Sequence, residues 1–503
     1  MKNLIKGLGS IALLLAAVGA SSAHAADTLR IGLASDPDML DPDTARTYYG
    51  RFVFEAMCDR LVDVDQNLKI VPQLATDWSW SDHNTTLTLH LRHDVTFHDG
   101  EKFDASSVVY NLKRSMTMVG SLRKSELQAV AAVKQTGPYT VVFKLKTPDA
   151  SLLSKLADRA GTMLAPQATE KGHVASHPVC SGPYQFVSRV AQDKIVLKRF
   201  ENYWNKPAYH FDQVVFLPIP DASVRLSNLR AGDLDVITAV AASDIKTVNA
   251  DASVFIAKNI GLGYQALNFN INNHNPTSPL AKSALVRRAF AAAIDRHAIN
   301  QVVFEGQYTP ANQPFSPVSP FHVDIPVAGR DIAKAKQWLS EAGVTSPIDV
   351  NLMVENTPVA KQVGQIIQAM VAEAGFNVHL QMTEFATLLN RQQNGQFEVS
   401  LSGWSGRPDP DGDIYGFVAS SGNLNDGKYT NASVDKWLVQ ARQHSDMATR
   451  KALYQHVVEQ MQADMPIQYL YFEPRIFGLN KKVQHFTVYP DGLIRLAGVS
   501  FAH

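Results

Sequence analysis

The sequence predicts an α/β fold divided into more than one lobe, on three grounds. The chain has 503 residues, which at roughly 100–200 residues per domain is enough for two or more hydrophobic cores. It is 45% hydrophobic and 19% charged, a composition that excludes disorder. Stretches alternating with period two are interleaved with stretches of helical period, as packed strands and helices require. Basic and acidic side chains number 47 each. Nucleic acid or an anionic membrane would select a basic face, so neither is expected as the main partner.

The first 25 residues read as a secretory signal: Lys2 and Lys6 precede an apolar run over 11–18 and the small-residue site Ala23-His-Ala25. The run is shorter than the roughly 20 residues needed to span a bilayer, and no other uncharged stretch approaches that length. An exported product starting near Ala26, slightly acidic once two lysines are removed, is expected. With no cysteine at the cleavage site, a lipid anchor is not. Export places Cys58 and Cys180 in an oxidising compartment, where they have one possible pairing. In the chain-entropy picture that bond closes a long loop and contributes about 4–5 kcal/mol. Two buried free thiols are the alternative. A catalytic thiol has no base in its sequence pattern.

From Ala26 onward, residues 28–33 alternate as a strand and Ser35-Asp-Pro-Asp38 breaks it. Alternation returns over 85–91 and 140–145, the latter after the turn Gly137-Pro138. Between them Asp104 is placed to cap a helix over 104–114. Residues 194–198 and 213–217 read as strands, the second ended by Pro218 and Pro220. An asparagine-rich stretch ending at Asn275-Pro276 leads into an alanine-rich helix over 285–295. The proline-rich segment 310–326 has too many fixed backbone angles and missing donors for regular structure, and predicts an ordered surface loop or a lid. Helices over 331–342 and 359–374, ended by Gly343 and Gly375, alternate with strands over 349–354 and 377–381.

Several motifs fail on inspection. Gly422 to Lys428 has phosphate-loop spacing, but Tyr429 replaces the hydroxyl residue and no strand precedes it. Asp409, Asp411 and Asp413 resemble the start of a calcium loop, yet Ile414 stands where glycine is required and Ser420 where an acid is. The sixteen histidines include no H-E-x-x-H pair, and there is no C-x-x-C. Gly403-Trp-Ser-Gly406 is one residue short of a nucleophile elbow. His98-Asp-Gly100 reads as a turn rather than an acid–base pair. No catalytic residue, metal centre or cofactor is expected.

Pro72-Gln-Leu-Ala-Thr-Asp-Trp78-Ser-Trp80-Ser-Asp82, Leu89-His-Leu-Arg92 and Val95-Thr-Phe-His-Asp-Gly100-Glu-Lys-Phe-Asp104-Ala105 closely resemble the segment that marks family 5 solute-binding proteins. These are extracytoplasmic receptors of ABC importers for peptides, glutathione, nickel chelates, haem and opines. Ser181-Gly-Pro-Tyr184, Glu201-Asn-Tyr-Trp204, 229–235, Val286-Arg-Arg-Ala-Phe290, Ala293-Ile-Asp295 and 404–410 are similar to further landmarks in the same order.

The resemblance implies a two-lobed fold like the type II, cluster C periplasmic binding proteins. Lobe I would comprise 26–46, 180–266 and 477–503, with an extra α+β subdomain over 47–179; lobe II would comprise 267–476. The chain would cross near 264–270 and return near 471–479. A monomeric periplasmic receptor would close on a di- or oligopeptide, leave it intact and present it to a membrane permease. Glutathione, an opine, a nickel chelate or haem is the alternative ligand, and a secreted hydrolase a remoter reading. In peptide-binding relatives an aspartate three residues after a glycine-tryptophan pair accepts the ligand amine; here that place holds Arg407, which attracts a carboxylate instead. Trp404, Ser405 and Arg407 are therefore expected to line the pocket, with Asp409 as amine partner. Tyr48, Tyr264 and Tyr471 are expected beside the crossings or the rim, a core aromatic being the alternative for each.

Overall fold

The computed structural model describes residues 27–271 and 278–502. The signal segment and the end of the asparagine-rich stretch lie outside them. Three sheets organise the chain. The first has seven strands in the order Val254–Asn259, Arg475–Asn480, Val236–Ile237, Thr28–Leu33, Gln213–Pro218, Lys194–Arg199, Tyr184–Val190. Thr28–Leu33 runs parallel to both its neighbours, and its alternation places Leu29, Ile31 and Leu33 in the core. Helix Tyr48–Met57 packs there through Phe52, Val53, Phe54, Ala56 and Met57, and is buried on nearly every side.

The second sheet orders Thr309–Pro310, Ile467–Phe472, Tyr264–Phe269, Val399–Trp404, Ile348–Glu355 and Phe376–Thr383. Ile348–Glu355 and Phe376–Thr383 are parallel, joined by helix Pro358–Ala372, so this part is a βαβ unit. That helix ends as the sequence predicts: Gly375 follows it at φ +103°, a backbone state that side chains other than glycine rarely adopt. Helices cover one face, where Phe290, Ile367 and Leu352 share a core. On the other face Tyr264, Tyr469 and Phe472 pack with Phe315, Phe321 and Tyr454.

Two expectations change here. Segment 310–326 is irregular past Pro310, as its prolines predict, but it is not a surface loop throughout: Pro317, Val318 and Pro320 are exposed while Phe315, Phe321 and Val323 are buried in the core. The Gln313 side chain replaces missing backbone pairing by donating to the Val323 carbonyl (2.6 Å) and accepting from its N–H (2.9 Å). The alanine-rich helix ends at Ala292, and Asp295 caps the next helix, Arg296–Phe304, by accepting from Ala298 N–H.

The third sheet, Ala75–Ser81, Thr86–Leu91, Thr140–Leu145 and Val130–Gly137, is antiparallel and covered by helix Ala105–Thr117, which Asp104 caps through the N–H groups of Ser106 and Ser107. It is inserted between residues of the first sheet. At its neck Cys58 and Cys180 are bonded, with their Cα atoms 4.9 Å apart. His98 sits in a turn beside them and bonds the Gly182 carbonyl (3.0 Å), and burial pushes its imidazole down to about 4.

The chain passes from the first sheet to the second between Asn259 and Tyr264 and returns between Phe472 and Arg475. The two passages touch: Glu473 N–H donates to the Gly263 carbonyl (3.0 Å). A Cβ on Gly261 would lie 2.3 Å from the Glu473 carbonyl oxygen, so glycine permits this approach. No described helix is long and apolar enough to cross a membrane.

Candidate ligand-binding site

The crossings place the carboxyl end of strand Val399–Trp404 opposite the insertion and helix Tyr48–Met57. After Trp404 the backbone turns through Gly406 (φ +81°), whose Cβ would meet Leu262 at 2.3 Å. The turn delivers Arg407 to the other lobe, where its Nε lies 2.7 Å from Asp158 Oδ2. The other oxygen of Asp158 accepts from Arg51 Nε at 3.1 Å, so one carboxylate joins both halves. Further bonds cross nearby: Lys155 lies 3.5 Å from Asp411, Ser151 Oγ donates to Asp411 (3.3 Å), and Ala150 N–H donates to the Arg442 carbonyl (2.8 Å).

Positive charge is in excess at this contact. Burial alone raises the Asp158 carboxyl, but the charges of Arg51, Arg407, Arg159 and Arg123 outweigh it and hold the group well below the usual range. Arg159 is pushed well below its usual range by burial and by the neighbouring arginines. Arg51 Nη1 and the Nε atoms of Arg123 and Arg159 are buried without hydrogen-bond partners. A cavity of about 10 Å³ bordered by Arg51, Asp158, Arg159 and Thr162 has room for about one water. A cavity of about 450 Å³ lined by Asp27, His210, Phe211, His485 and Phe501 contains none of the residues that meet across the lobes.

Trp404, Ser405, Arg407 and Tyr48 come together. The Arg407 guanidinium stacks 4.3 Å from the Trp404 ring, and its Nη1 donates to Ser405 Oγ (3.1 Å) and the Gly406 carbonyl (2.7 Å). Burial pulls this guanidinium down to about 10, which leaves it charged at neutral pH. Arg475 ties both sides, donating to the Ser405 carbonyl (2.6 Å) while lying 4.7 Å from the centre of the Tyr48 ring. Tyr48 donates to the Asp491 carbonyl (3.2 Å).

Asp409, expected to meet a ligand amine, is instead held by Arg450 through two bonds of 2.8 and 2.9 Å and accepts from Asp411 N–H (3.0 Å). Its carboxylate is committed within the second lobe. The three aspartates that mimic a calcium loop diverge: Asp411 pairs with Arg442 (2.6 Å), while Asp413 accepts from Trp404 Nε1 (3.1 Å) and Arg407 N–H (2.7 Å). Tyr264 is a core residue packed on Tyr469, with its hydroxyl donating to the Asp413 carbonyl (3.3 Å). Tyr471 is also buried, against Phe304 and Tyr308.

Sequence reasoning missed Arg51, Asp158 and Arg475, and also Glu355 and Glu473, which the strand pairings place near the same carboxyl end of strand Val399–Trp404. None belongs to a motif. The one available signal was position: Glu355 ends a strand and Glu473 follows one, and strand ends frame crevices in open sheets.

A family model described as bacterial extracellular solute-binding proteins, family 5 middle, matches residues 69–425. The chain belongs to this family. As a family 5 solute-binding protein it serves an ABC importer by binding a solute, and is not an enzyme. It is 27% identical over 492 residues, 95% of each chain, to the glutathione-binding protein GsiB of Pectobacterium atrosepticum. It is 26% identical over 476 residues, 87% of each chain, to di/tripeptide-binding protein 1 of Pseudomonas aeruginosa. Among solved structures, the periplasmic binding protein DppA of Helicobacter pylori in complex with a peptide is similar at TM-score 0.85 and 25% identity, covering 95% of this chain and 98% of that one. The oligopeptide-binding protein AppA of Bacillus subtilis has the same fold, at TM-score 0.86 and 23% identity over 95% and 99% of the two chains. These likenesses establish the two-lobed fold of the family 5 receptor.

Proposed function

We propose that this family 5 receptor works as a periplasmic monomer that captures a short peptide, carboxylate end toward Arg407, and delivers it to a membrane permease. The observation that carries the reading is the surplus of buried arginines around Asp158 and Arg407. Buried charge without a counter-charge is costly, so a ligand carboxylate arriving there gains charge-assisted bonds and relieves the surplus. Ligand favours closure only to the extent that it binds the closed state better than the open one, which requires contact with both lobes at once. Trp404 offers its ring beside Arg407, and Gly403, exposed on the middle of the sheet, leaves backbone open to strand-like pairing with an extended peptide. The likeness to glutathione-binding and di/tripeptide-binding relatives supports the same class. An anionic modified peptide such as glutathione, with two carboxylates, is favoured by the same surplus of positive charge.

The test is native mass spectrometry of protein purified from its own periplasm, followed by titration of the co-purified molecule. A peptide or peptide conjugate with a free carboxylate is expected. A cationic ligand lacking any acid group, or turnover of the ligand on incubation, would sink the proposal.

A further inference from the structure

We propose that the small cavity bordered by Arg51, Arg60 and Arg159 is a binding site for one monatomic anion, a halide such as chloride, built in where the insertion joins the first lobe. The inference concerns the receptor itself and is independent of the solute it carries.

The cavity measures about 10 Å³, the size of one small occupant. Helix Tyr48–Met57 supplies Arg51 to its wall, the disulfide neck supplies Cys58 and Arg60, and the insertion supplies Asp158 and Arg159. Every residue that borders it is buried, so neither a peptide end nor a molecular anion such as phosphate or acetate fits.

The three bordering arginines each hold a buried N–H that finds no hydrogen-bond partner among the described residues: Arg51 Nη1, Arg60 Nε and Arg159 Nε. Leaving such charged donors unpaired is costly. Arg60 is otherwise neutralised by Glu55 (2.6 Å) and Asp63 (2.7 Å), whereas Arg159 donates its Nη1 to the Ala45 carbonyl (2.6 Å) and has no ion pair among the described residues. Arg51 and Arg407 share the single carboxylate of Asp158, at 3.1 and 2.7 Å. Three guanidinium groups, those of Arg51, Arg159 and Arg407, thus depend on one acid.

These groups decide between the occupants that the volume admits. A buried water needs acceptors for its own hydrogens as well as donors, and the charged side chains at the cavity are all donors except Asp158, whose oxygens each already accept from a guanidinium. A halide only accepts, and from any direction. Its charge also answers the surplus that a neutral water would leave in place. Bound there, the anion offsets Arg51 and Arg159 from the first-lobe side and leaves the Asp158 carboxylate to Arg407, which meets it from the second lobe.

The experiment is long-wavelength anomalous diffraction from crystals of the exported protein grown in sodium chloride, paired with thermal unfolding in sodium chloride and in sodium gluconate of equal ionic strength. A chloride peak inside the cavity is expected, with an unfolding midpoint about 2 °C higher in chloride. Gluconate is too large to enter, and screening is the same in both salts. Arg159→Met is expected to remove the peak and most of the chloride increment. Density in the cavity without anomalous signal would identify a water and overturn the proposal, as would chloride found only on the surface or equal midpoints in the two salts. Should the variant fail to fold, the peak and the salt comparison on the parent protein decide the matter. Each of these outcomes leaves peptide capture to its own test, the titration of the co-purified molecule.

Discussion

Two sets of acidic residues near the crossings handle charge in opposite ways. Beside Arg407 a single carboxylate, Asp158, is shared by Arg51 and Arg407 and draws the lobes together. Glu355 has no ion pair among the described residues, and Glu473 accepts only from the neutral Gln265 Nε2 (3.0 Å). One set carries a closing contact between the lobes; the acids of the other have no cationic partner among the described residues. The same chemical change, carboxylate to amide, is therefore expected to have opposite effects at Asp158 and at Glu355.

The largest effect is expected from Asp158→Asn. Removing the only carboxylate between Arg51 and Arg407 leaves buried cations unpaired, and denaturant unfolding at pH 7 should show a loss of about 3–5 kcal/mol. The folded carboxyl sits below its unfolded value of 3.8, so its stabilisation is present above that pH and is lost as the pH falls through the lower folded value. The gap between variant and parent should therefore close in acid. A gap independent of pH would mean that packing, not charge, links the lobes here.

Asp409→Asn sharpens the contrast between charges that serve closure and charges internal to one lobe. It weakens the paired bonds to Arg450, and should cost about 1.5–3 kcal/mol of stability. Ligand preference should stay unchanged. Altered selectivity between free and N-acetylated peptides would return Asp409 to the site. Arg407→Met, close in length but uncharged, should weaken a ligand with a free carboxylate about tenfold, or ~1.4 kcal/mol, and leave its C-amide little affected. Small-angle scattering of the ligand-free variant should show a more open particle.

The smallest effect, and the one opposite in sign, is expected from Glu355→Gln. The folded carboxyl is raised above its unfolded value of 4.5, so folding takes up protons between the two values and the charged group costs stability above them. The amide should stabilise the ligand-free protein at pH 7 by about 0.5–1 kcal/mol, a gain that disappears below pH 4.5. Destabilisation at pH 7 would show that Glu355 has a cationic partner after all.

Much of the fold was legible because its signals are local. Asp104 caps its helix, Gly375 ends another, and Leu29, Ile31 and Leu33 enter one core, as a few neighbouring residues foretell. The segment 310–326 misled because its prolines were weighed and its apolar side chains were not; a side chain, Gln313, supplies the pairing that the backbone lacks. The site was half legible. Trp404, Ser405 and Arg407 lie within four residues and meet, whereas Asp409, two residues from Arg407, turns away to Arg450.

By itself the sequence determined that the chain is an α/β protein with family 5 landmarks and an arginine, Arg407, three residues after its Gly403-Trp404 pair. Hydrophobic period, capping and motif spacing act over a few residues and survive in one dimension. Only the tertiary structure decided that Asp158 faces Arg407, that Asp409 is already occupied, and that Glu355 has no cationic partner among the described residues. Those outcomes depend on which distant segments the two crossings bring face to face, and Coulomb energy depends on separation in space, not along the chain.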